Sequence, residues 1–359
     1  MTTTYALVGF GFRAATLHRV ATALDGLRCV GAVVRTPRPL PVPRYDSLGA
    51  CLRDARPGLV ITAVPWDRNP DVIRECVAHG VPVLAETPPA PDLPALRALW
   101  ADVGGSGLVQ VAEQYPLMPT HAARAAAVRT GIIGAPTQVQ VSSTQLYHAV
   151  ALIRGLLGAG HDAATVRAGR TEAPLLHPLD RAGWTGETTP RPAVTTIAML
   201  DFGAGRSALY DFTTGQTRNL LRFRRLLIRG THGELHDDEI VHPTGPRGLA
   251  RTPLTRRQSG HELDLNGFDT ESITLGTEVL WTNPYPGRRW NDDEIATAAL
   301  LDATAAWVRG AGPPPYPLAE AAQDHLIGLA IEEAAAADRP VTTSAEAWSG
   351  MPSSGTPDS

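Results

Sequence analysis

The chain contains no lysine; all 32 of its basic residues are arginine. Arginine stays protonated throughout the pH range of folded proteins, so no side-chain amine here can serve as a tuned base or form a Schiff base. Cysteine is sparse as well. Cys29, Cys51 and Cys76 are far apart and share no paired spacing. That excludes a local zinc motif and a disulfide framework, and predicts three small buried apolar residues. No apolar run reaches the ~18 residues of a membrane-spanning helix. A Gly-x-Ser-x-Gly elbow and a Cys/His nucleophile pattern are also missing. The formal net charge of −4 gives no reason to expect nucleic acid as a partner. The opening, MTTTYALVGF, lacks a basic leader and a cleavage signal, which predicts a cytoplasmic protein.

What is present is 359 residues, too long for one small core and enough for two domains. Up to about residue 135 the pattern alternates. YALVGF (5–10), LRCVGAVV (27–34), GLVITAV (58–64), VPVLAE (81–86) and GLVQVAE (107–113) read as strands. AATLHRVATAL (14–24), SLGACLRDA (47–55, Ser47 as N-cap), PDVIRECVAHG (70–80) and a stretch near 92–102 read as helices. Strands separated by helices imply a parallel sheet covered on both faces. The pattern then changes. PTQVQVSST (136–144) alternates as a strand does, YHAVALIRGLLG (147–158) reads as helix, and 195–202 with 206–214 reads as a β-hairpin. RRLLIRGTHGEL (224–235) adds a strand and turn, and hairpin connections imply a mostly antiparallel sheet. The Pro-, Gly- and Arg-rich stretch 243–265 predicts a long loop. Residues 292–310 and 318–338 predict long amphipathic helices.

The fold class is therefore α/β: an N-terminal Rossmann doubly wound parallel sheet plus a C-terminal α+β domain with a mostly antiparallel open sheet. The expected domains are 1–118, where strands and helices alternate, and 119–349, with the last helices able to return to the first domain. Residues 350–359 predict a disordered tail.

GFGFRA (9–14) lies between the first strand and the first helix and fits G-x-G-x-x-G/A. Gly9 permits a tight turn, Gly11 lets the backbone approach a pyrophosphate, and Ala14 lets the helix lie close to the sheet. Phe10, Phe12 and Arg13 fill the intervening places, and the helix N-terminus offers N–H groups to the anion. The position that reads the adenosine ribose, about 20 residues on, holds Arg35 and Thr36, with Arg38 nearby and no carboxylate. Arginine there suits a 2′-phosphate, so NADP is preferred over NAD. Ala63, Val64, Pro65, Glu86, Thr87, Glu113 and Gln114 end the next strands, on the side where open α/β sheets bind ligands.

These segments together resemble the Gfo/Idh/MocA family, named for glucose–fructose oxidoreductase, inositol dehydrogenase and a rhizopine catabolism protein. The likeness is carried by ALVGFGFRA, by VITAVPWDRNPDVIRECVAHGVPVLAETPPA (60–90), by VAEQYPLMP (111–119) followed by RTGIIGAP (129–136), and by NPYPGRRWNDDEIATAALL (283–301). The resemblance implies a Rossmann domain plus an α/β domain whose open sheet often forms the oligomer contact, hence a homodimer or homotetramer. It also implies Glu-Lys-Pro at 86–88, with the lysine near the nicotinamide and the proline bond often cis. This chain has Glu86, Thr87 and Pro88. The family's Asp-x-x-x-His matches TQLYH (144–148), so Thr144 replaces the acid and His148 keeps the histidine.

Hydride chemistry needs a group that moves a proton to or from the heteroatom, and an imidazole suits that task near neutral pH. His148 is accordingly the candidate acid/base. Tyr147 and Tyr115 are candidates to polarise a carbonyl, Arg154 and Tyr285 to hold substrate, and His161 and His177 lie in loops able to line a pocket. The acidic run Asp237, Asp238 and Glu239 has no spaced histidines and reads as a solvated turn, not a metal site. The expected function is an NAD(P)-dependent oxidoreductase of a sugar, a sugar-like compound or a specialised metabolite. Alternatives are an NAD-dependent lyase or hydrolase acting by transient oxidation, and a non-catalytic cofactor-binding subunit.

Overall fold

The computed structural model describes residues 2–260 and 267–351. The chain forms two compact units. One comprises Met1–Met118, Trp290–Gln323 and the segment from Ala347; the other comprises Pro119–Arg289 and Asp324–Glu346.

The first unit is built on six strands: β1 (Thr3–Val8), β2 (Leu27–Val33), β3 (Arg44–Tyr45), β4 (Leu59–Thr62), β5 (Val83–Ala85) and β6 (Val109–Val111). They pair in the order β3-β2-β1-β4-β5-β6, and every pairing is parallel. Their residues are apolar on both faces because both faces are covered: Leu7, Leu59, Val60, Ile61, Val83 and Leu84 are fully buried. Four helices alternate with these strands: α1 (Phe12–Ala21), α2 (Leu48–Asp54), α3 (Asn69–Ala78) and α4 (Leu93–Val103). Ser47 caps α2 through the Ala50 N–H at 3.2 Å, and Asp92 caps α4 through the Ala95 N–H at 2.8 Å. The strand order reverses between β1 and β4, which opens a crevice at the carboxyl ends of these strands.

The second unit begins with α5 (Pro119–Arg129), β7 (Pro136–Ser142), α6 (Leu146–Leu157) and β8 (Thr165–Leu175). A two-stranded ladder, β9 (Leu179–Asp180) and β10 (Gly183–Trp184), stands apart. There follow β11 (Arg191–Gly203), β12 (Arg206–Thr213), β13 (Arg225–Gly230), β14 (Glu234–His236), β15 (Glu239–Gly245), β16 (Gly248–Ser259), β17 (Asp269–Leu275) and β18 (Glu278–Thr282). The chain closes with α7 (Asp292–Val308), α8 (Leu318–Ala337) and β19 (Val341–Thr342). The large sheet runs β18-β17-β16-β15-β14-β13-β7-β12-β11-β8-β19. It is antiparallel except where β12 meets β7. The expected pairing of a Rossmann sheet with a mostly antiparallel sheet is thus found.

Two expectations require correction. The stretch 243–265 is not a long loop: β15 and β16 form a hairpin, with Gly245 opposite Gly248, that continues to Ser259. Pro243 and Pro253 both lie inside paired strands, and their presence argued for a loop. The strand is still legible afterwards in its alternation, with Leu254 inward and Arg251 and Arg257 outward. Residues 261–265 lie outside the described residues. The helices α7 and α8 are not amphipathic: every residue from Leu318 to Ile327 in α8 is buried, including Glu320, Gln323, Asp324 and His325. Their alanine content lets neighbours approach closely, and α8 meets solvent toward its end, at Glu332 and Glu333. The expected tail lies outside the described residues from 352 onward, and Gly350 belongs to a short 3-10 turn, Ala347–Gly350. Among the described residues no helix is long and apolar enough to cross a membrane.

Candidate functional site

The glycine turn sits at the reversal of strand order. The Gly9 N–H donates to the Val33 carbonyl at 2.9 Å, and the Ala63 N–H donates to the Val8 carbonyl at 2.8 Å, so the ends of β1, β2 and β4 are tied together. Gly9 has φ +89°, and a Cβ there would lie 2.4 Å from the Ala63 carbonyl oxygen. Only glycine fits both conditions. Gly11 is the N-cap of α1, no side chain caps it, and nothing lies within 4 Å of where its Cβ would be. Ala14 is fully buried, as close helix–sheet packing requires. The result is a cradle closed behind Gly9 and open at Gly11, facing the positive end of a helix, and it fits a pyrophosphate. Gly9→Ala is expected to force the turn apart, with a loss of about 1–3 kcal/mol from backbone strain alone. Dinucleotide affinity measured by calorimetry should fall with it; unchanged affinity would remove this turn from the site.

On the β2 side, Arg35, Thr36 and Arg38 are exposed beyond the strand end. The Arg38 guanidinium lies 5.6 Å from the Phe10 ring centroid and donates to the Phe10 carbonyl. Behind Phe10, the His18 ring lies 5.7 Å away and shares a 2.9 Å hydrogen bond with the Tyr5 hydroxyl. Burial lowers the His18 pKa, so that imidazole is neutral support. Phe12 and Trp66, just after the turn and just after Pro65, are exposed large side chains.

On the β4–β6 side a polar lattice holds the strand ends. The Thr62 hydroxyl donates to Asn69 Oδ1 at 2.6 Å and accepts from the Glu86 N–H at 3.2 Å. Asn69 Nδ2 donates to the carbonyls of Glu86 at 2.9 Å and Pro88 at 3.4 Å. Both side chains are buried, and they fix the 86–88 segment, whose Thr87–Pro88 bond is cis. The Thr87 hydroxyl donates to Glu86 Oε1 at 3.4 Å. Arg13 crosses these ends: its Nε donates to Glu86 Oε2 at 3.2 Å and Nη2 to Gln114 Oε1 at 2.9 Å, while Nη1 lies 3.7 Å from Asp293 Oδ2. Gln114 Nε2 in turn donates to Asp293 Oδ1 at 2.9 Å. Burial alone works against the Arg13 charge, but Glu86, Asp293 and Glu113 outweigh it and raise its pKa. Glu113 is buried and accepts from the Tyr115 N–H at 3.0 Å, at the start of a short 3-10 turn.

Thr62, Asn69 and Asp293 were not anticipated. Asp293 stands 179 positions after Gln114, in the first turn of α7, and nothing local marks it. Asn69 carries a readable signal only in hindsight: it is the polar residue that opens the helix between two strand ends.

In the second unit, α6 begins unusually. Leu146 has φ +40°, a left-handed conformation that non-glycine residues rarely adopt, and its N–H donates to the Tyr210 hydroxyl at 3.2 Å. This start brings Tyr147 and His148 together, ring centroids 4.4 Å apart, with the His325 ring 6.1 Å from Tyr147. His148 is half-buried. Thr144, 1% exposed, makes no hydrogen bond through its hydroxyl among the described residues, and neither does the Ser143 hydroxyl. Orphaned buried hydroxyls mark a place where a ligand group or water completes the bonding.

Arg154, expected to hold substrate, is engaged inside the second unit. It is 4% exposed; Nη1 donates to Asp324 Oδ1 and Nε to the Gly160 carbonyl at 2.7 Å. Its place in the last turn of α6 turns it into the unit's interior, where it needs a buried counter-charge. Tyr285 is half-buried in the turn after β18, its N–H bonded to Asn283 Oδ1 at 2.9 Å. His177 lies in the loop before β9, its ring against Gly215, and His161 follows α6. The acidic run 237–239 is a turn whose Asp238 pairs with Arg124 at 3.0 Å. Among the described residues no group of three or more His, Cys, Asp or Glu side chains is arranged to hold a metal ion.

No protein-family model and no curated protein matches the sequence. Solved structures do match. An oxidoreductase from Agrobacterium radiobacter, crystallised with NAD+, L-tartaric acid and magnesium, superposes with a TM-score of 0.69 at 18% identity, over 95% of this chain and 98% of that one. A levoglucosan dehydrogenase in complex with NADH and levoglucosan gives 0.66 at 18% identity, over 96% and 100%. A myo-inositol dehydrogenase from Corynebacterium glutamicum gives 0.65 at 17% identity, over 95% and 99%. The likeness is one of fold, carried over nearly the whole length, and the fold of this chain is that of the Gfo/Idh/MocA-type NAD-binding oxidoreductases.

Proposed function

We propose that this protein is an NAD(P)-dependent oxidoreductase acting on a sugar, a sugar-like compound or a specialised metabolite. The observation that carries this reading is the cradle at Gly9 and Gly11, pinned by the Ala63 carbonyl and open at the amino end of α1. Gly9, Phe10, Gly11, Phe12 and Arg13 would hold the pyrophosphate and its surroundings, with Ala63, Val64 and Pro65 behind them. Arg35, Thr36 and Arg38 favour NADP, since no carboxylate stands at that strand end and arginines suit a 2′-phosphate. Glu86, Thr87 and Gln114 line the other half. The dinucleotide supplies the hydride exchange when bound.

The chain must move the matching proton itself. It has no lysine, and Thr87 carries no charge, so the proton falls to another group. His148 is that group in this reading, with Tyr147 beside it; Tyr115 is a second hydroxyl able to polarise a carbonyl. The orphaned hydroxyls of Ser143 and Thr144 suit a hydroxyl-bearing substrate, because each can donate as well as accept. The ligands of the solved neighbours, levoglucosan and tartaric acid, are small hydroxylated molecules and support that class. The outward face of β11, with Ile197 52% and Met199 43% exposed, supports a homodimer or homotetramer through the large sheet.

Native mass spectrometry of the purified protein, together with absorbance at the reduced-nicotinamide band across a panel of polyols, ketones and imines, tests the reading. Retained or added NADP(H) that changes redox state with one substrate is the expected result. Retained cofactor without net turnover would point to elimination or hydrolysis by transient oxidation, and failure to bind any dinucleotide would overturn the reading.

A further inference from the structure

Arg13 occupies a place that α1 itself does not favour. It lies in the first turn of the helix, at the positive end of the dipole, and no acidic residue in that turn offsets it. The guanidinium turns away along the strand ends instead, to Glu86 and Gln114, with Asp293 behind. Its side chain is 22% exposed, so it lines the crevice and is not wholly enclosed.

In the order β3-β2-β1-β4-β5-β6, the position that reads adenosine lies at the end of β2, on one side of the glycine turn. The nicotinamide half of a dinucleotide therefore belongs over β4, β5 and β6, the side that Arg13 spans. That side is rich in carboxylates: Glu86 at the end of β5, Glu113 after β6, and Asp293 from α7. The oxidised nicotinamide ring carries a positive charge and the reduced ring carries none. Carboxylates left to themselves would favour the oxidised form. Thr87 adds no charge, and the chain has no lysine to supply one. Arg13 is the cation set against these acids.

Resting on the dinucleotide reading, we propose that Arg13 offsets part of this negative charge and so weakens the preference of the crevice for the oxidised dinucleotide over the reduced one. A guanidinium keeps its proton, so Arg13 contributes charge and hydrogen bonds.

The test is the ratio of two dissociation constants, for NADP+ over NADPH, measured on the full-length protein by calorimetry and nicotinamide fluorescence. This readout needs no substrate and no turnover. Arg13→Met is expected to lower the ratio by about tenfold or more, the scale of one unit charge acting over several ångströms at an effective dielectric of about 20. Arg13→Lys keeps the charge and should keep the ratio close to that of the unaltered protein. Glu86→Gln removes an opposing charge and should raise the ratio, which decides the matter if Arg13→Met fails to fold. An unchanged ratio in Arg13→Met or in Glu86→Gln, or a fall in Arg13→Lys as large as in Arg13→Met, would overturn the inference while leaving the dinucleotide reading intact. A protein that binds neither nucleotide would remove both.

Discussion

Replacing His148 with alanine is expected to lower kcat by about 10²–10⁴-fold, the usual contribution of a positioned acid or base. Dinucleotide affinity should not change, because His148 belongs to α6 and no part of the glycine cradle depends on it. The size of the effect follows from what the chain lacks. An enzyme with a lysine at position 87 could share proton movement between an amine and an imidazole; here no amine exists. His148 follows directly on Tyr147, and the positive φ of Leu146 turns the chain to begin the helix there. A conformation that costs of order 1–3 kcal/mol persists only where its surroundings impose it, and such positions gather at active sites. Two controls separate a chemical role from a structural one. His148→Gln should retain the fold and lose the rate, and added imidazole should restore part of the rate in His148→Ala. Tyr147→Phe, which keeps the ring against His148, should lose much less. A His148→Ala protein with its full rate would end the acid/base assignment.

Replacing Asp324 with alanine is expected to destabilise the protein by roughly 3–5 kcal/mol, the range for removing one partner of a buried ion pair. Asp324 and Arg154 are 3% and 4% exposed, so water cannot take the place of the lost carboxylate. The Gly160 carbonyl, at 2.7 Å from Arg154 Nε, is neutral and does not balance the charge. Asp324→Asn should fall between the parent and the alanine variant, since an amide keeps the size and one acceptor. Pairing Asp324→Leu with Arg154→Met should recover most of the loss, because neither charge is then left without its partner. Denaturant midpoints for the four proteins measure all of this. A loss below about 1 kcal/mol in Asp324→Ala would place the pair among exposed ion pairs, which contribute little.

The same residue, Arg154, shows where reading a sequence stops. Helical spacing places it on α6 but does not say which face of α6 is inside. An arginine in a chain that uses no other cation looks like any surface arginine. Its partner lies 170 positions away, and only the packed unit brings the two together. Arg13 is similar. The glycine motif identified its neighbourhood, yet its partners come from after β5, after β6 and from the first turn of α7. The hairpin of β15 and β16 failed for a different reason: three prolines and two glycines outweighed the alternation of its strands.

Local chemistry determined much by itself. Apolar runs separated by helical patterns required a parallel sheet, and glycine at 9 and 11 after the first strand required a cradle, because backbone sterics and burial act over neighbours in the chain. The absence of lysine, and with it of any amine base, was also complete at that level. What the tertiary structure alone decided was how charges are matched: Arg13 against Glu86 and Asp293, Arg154 against Asp324, and Asn69 on the 86–88 segment. Electrostatics and hydrogen bonds in a low-dielectric interior depend on distances in space, and those are set by packing between segments that the chain keeps far apart.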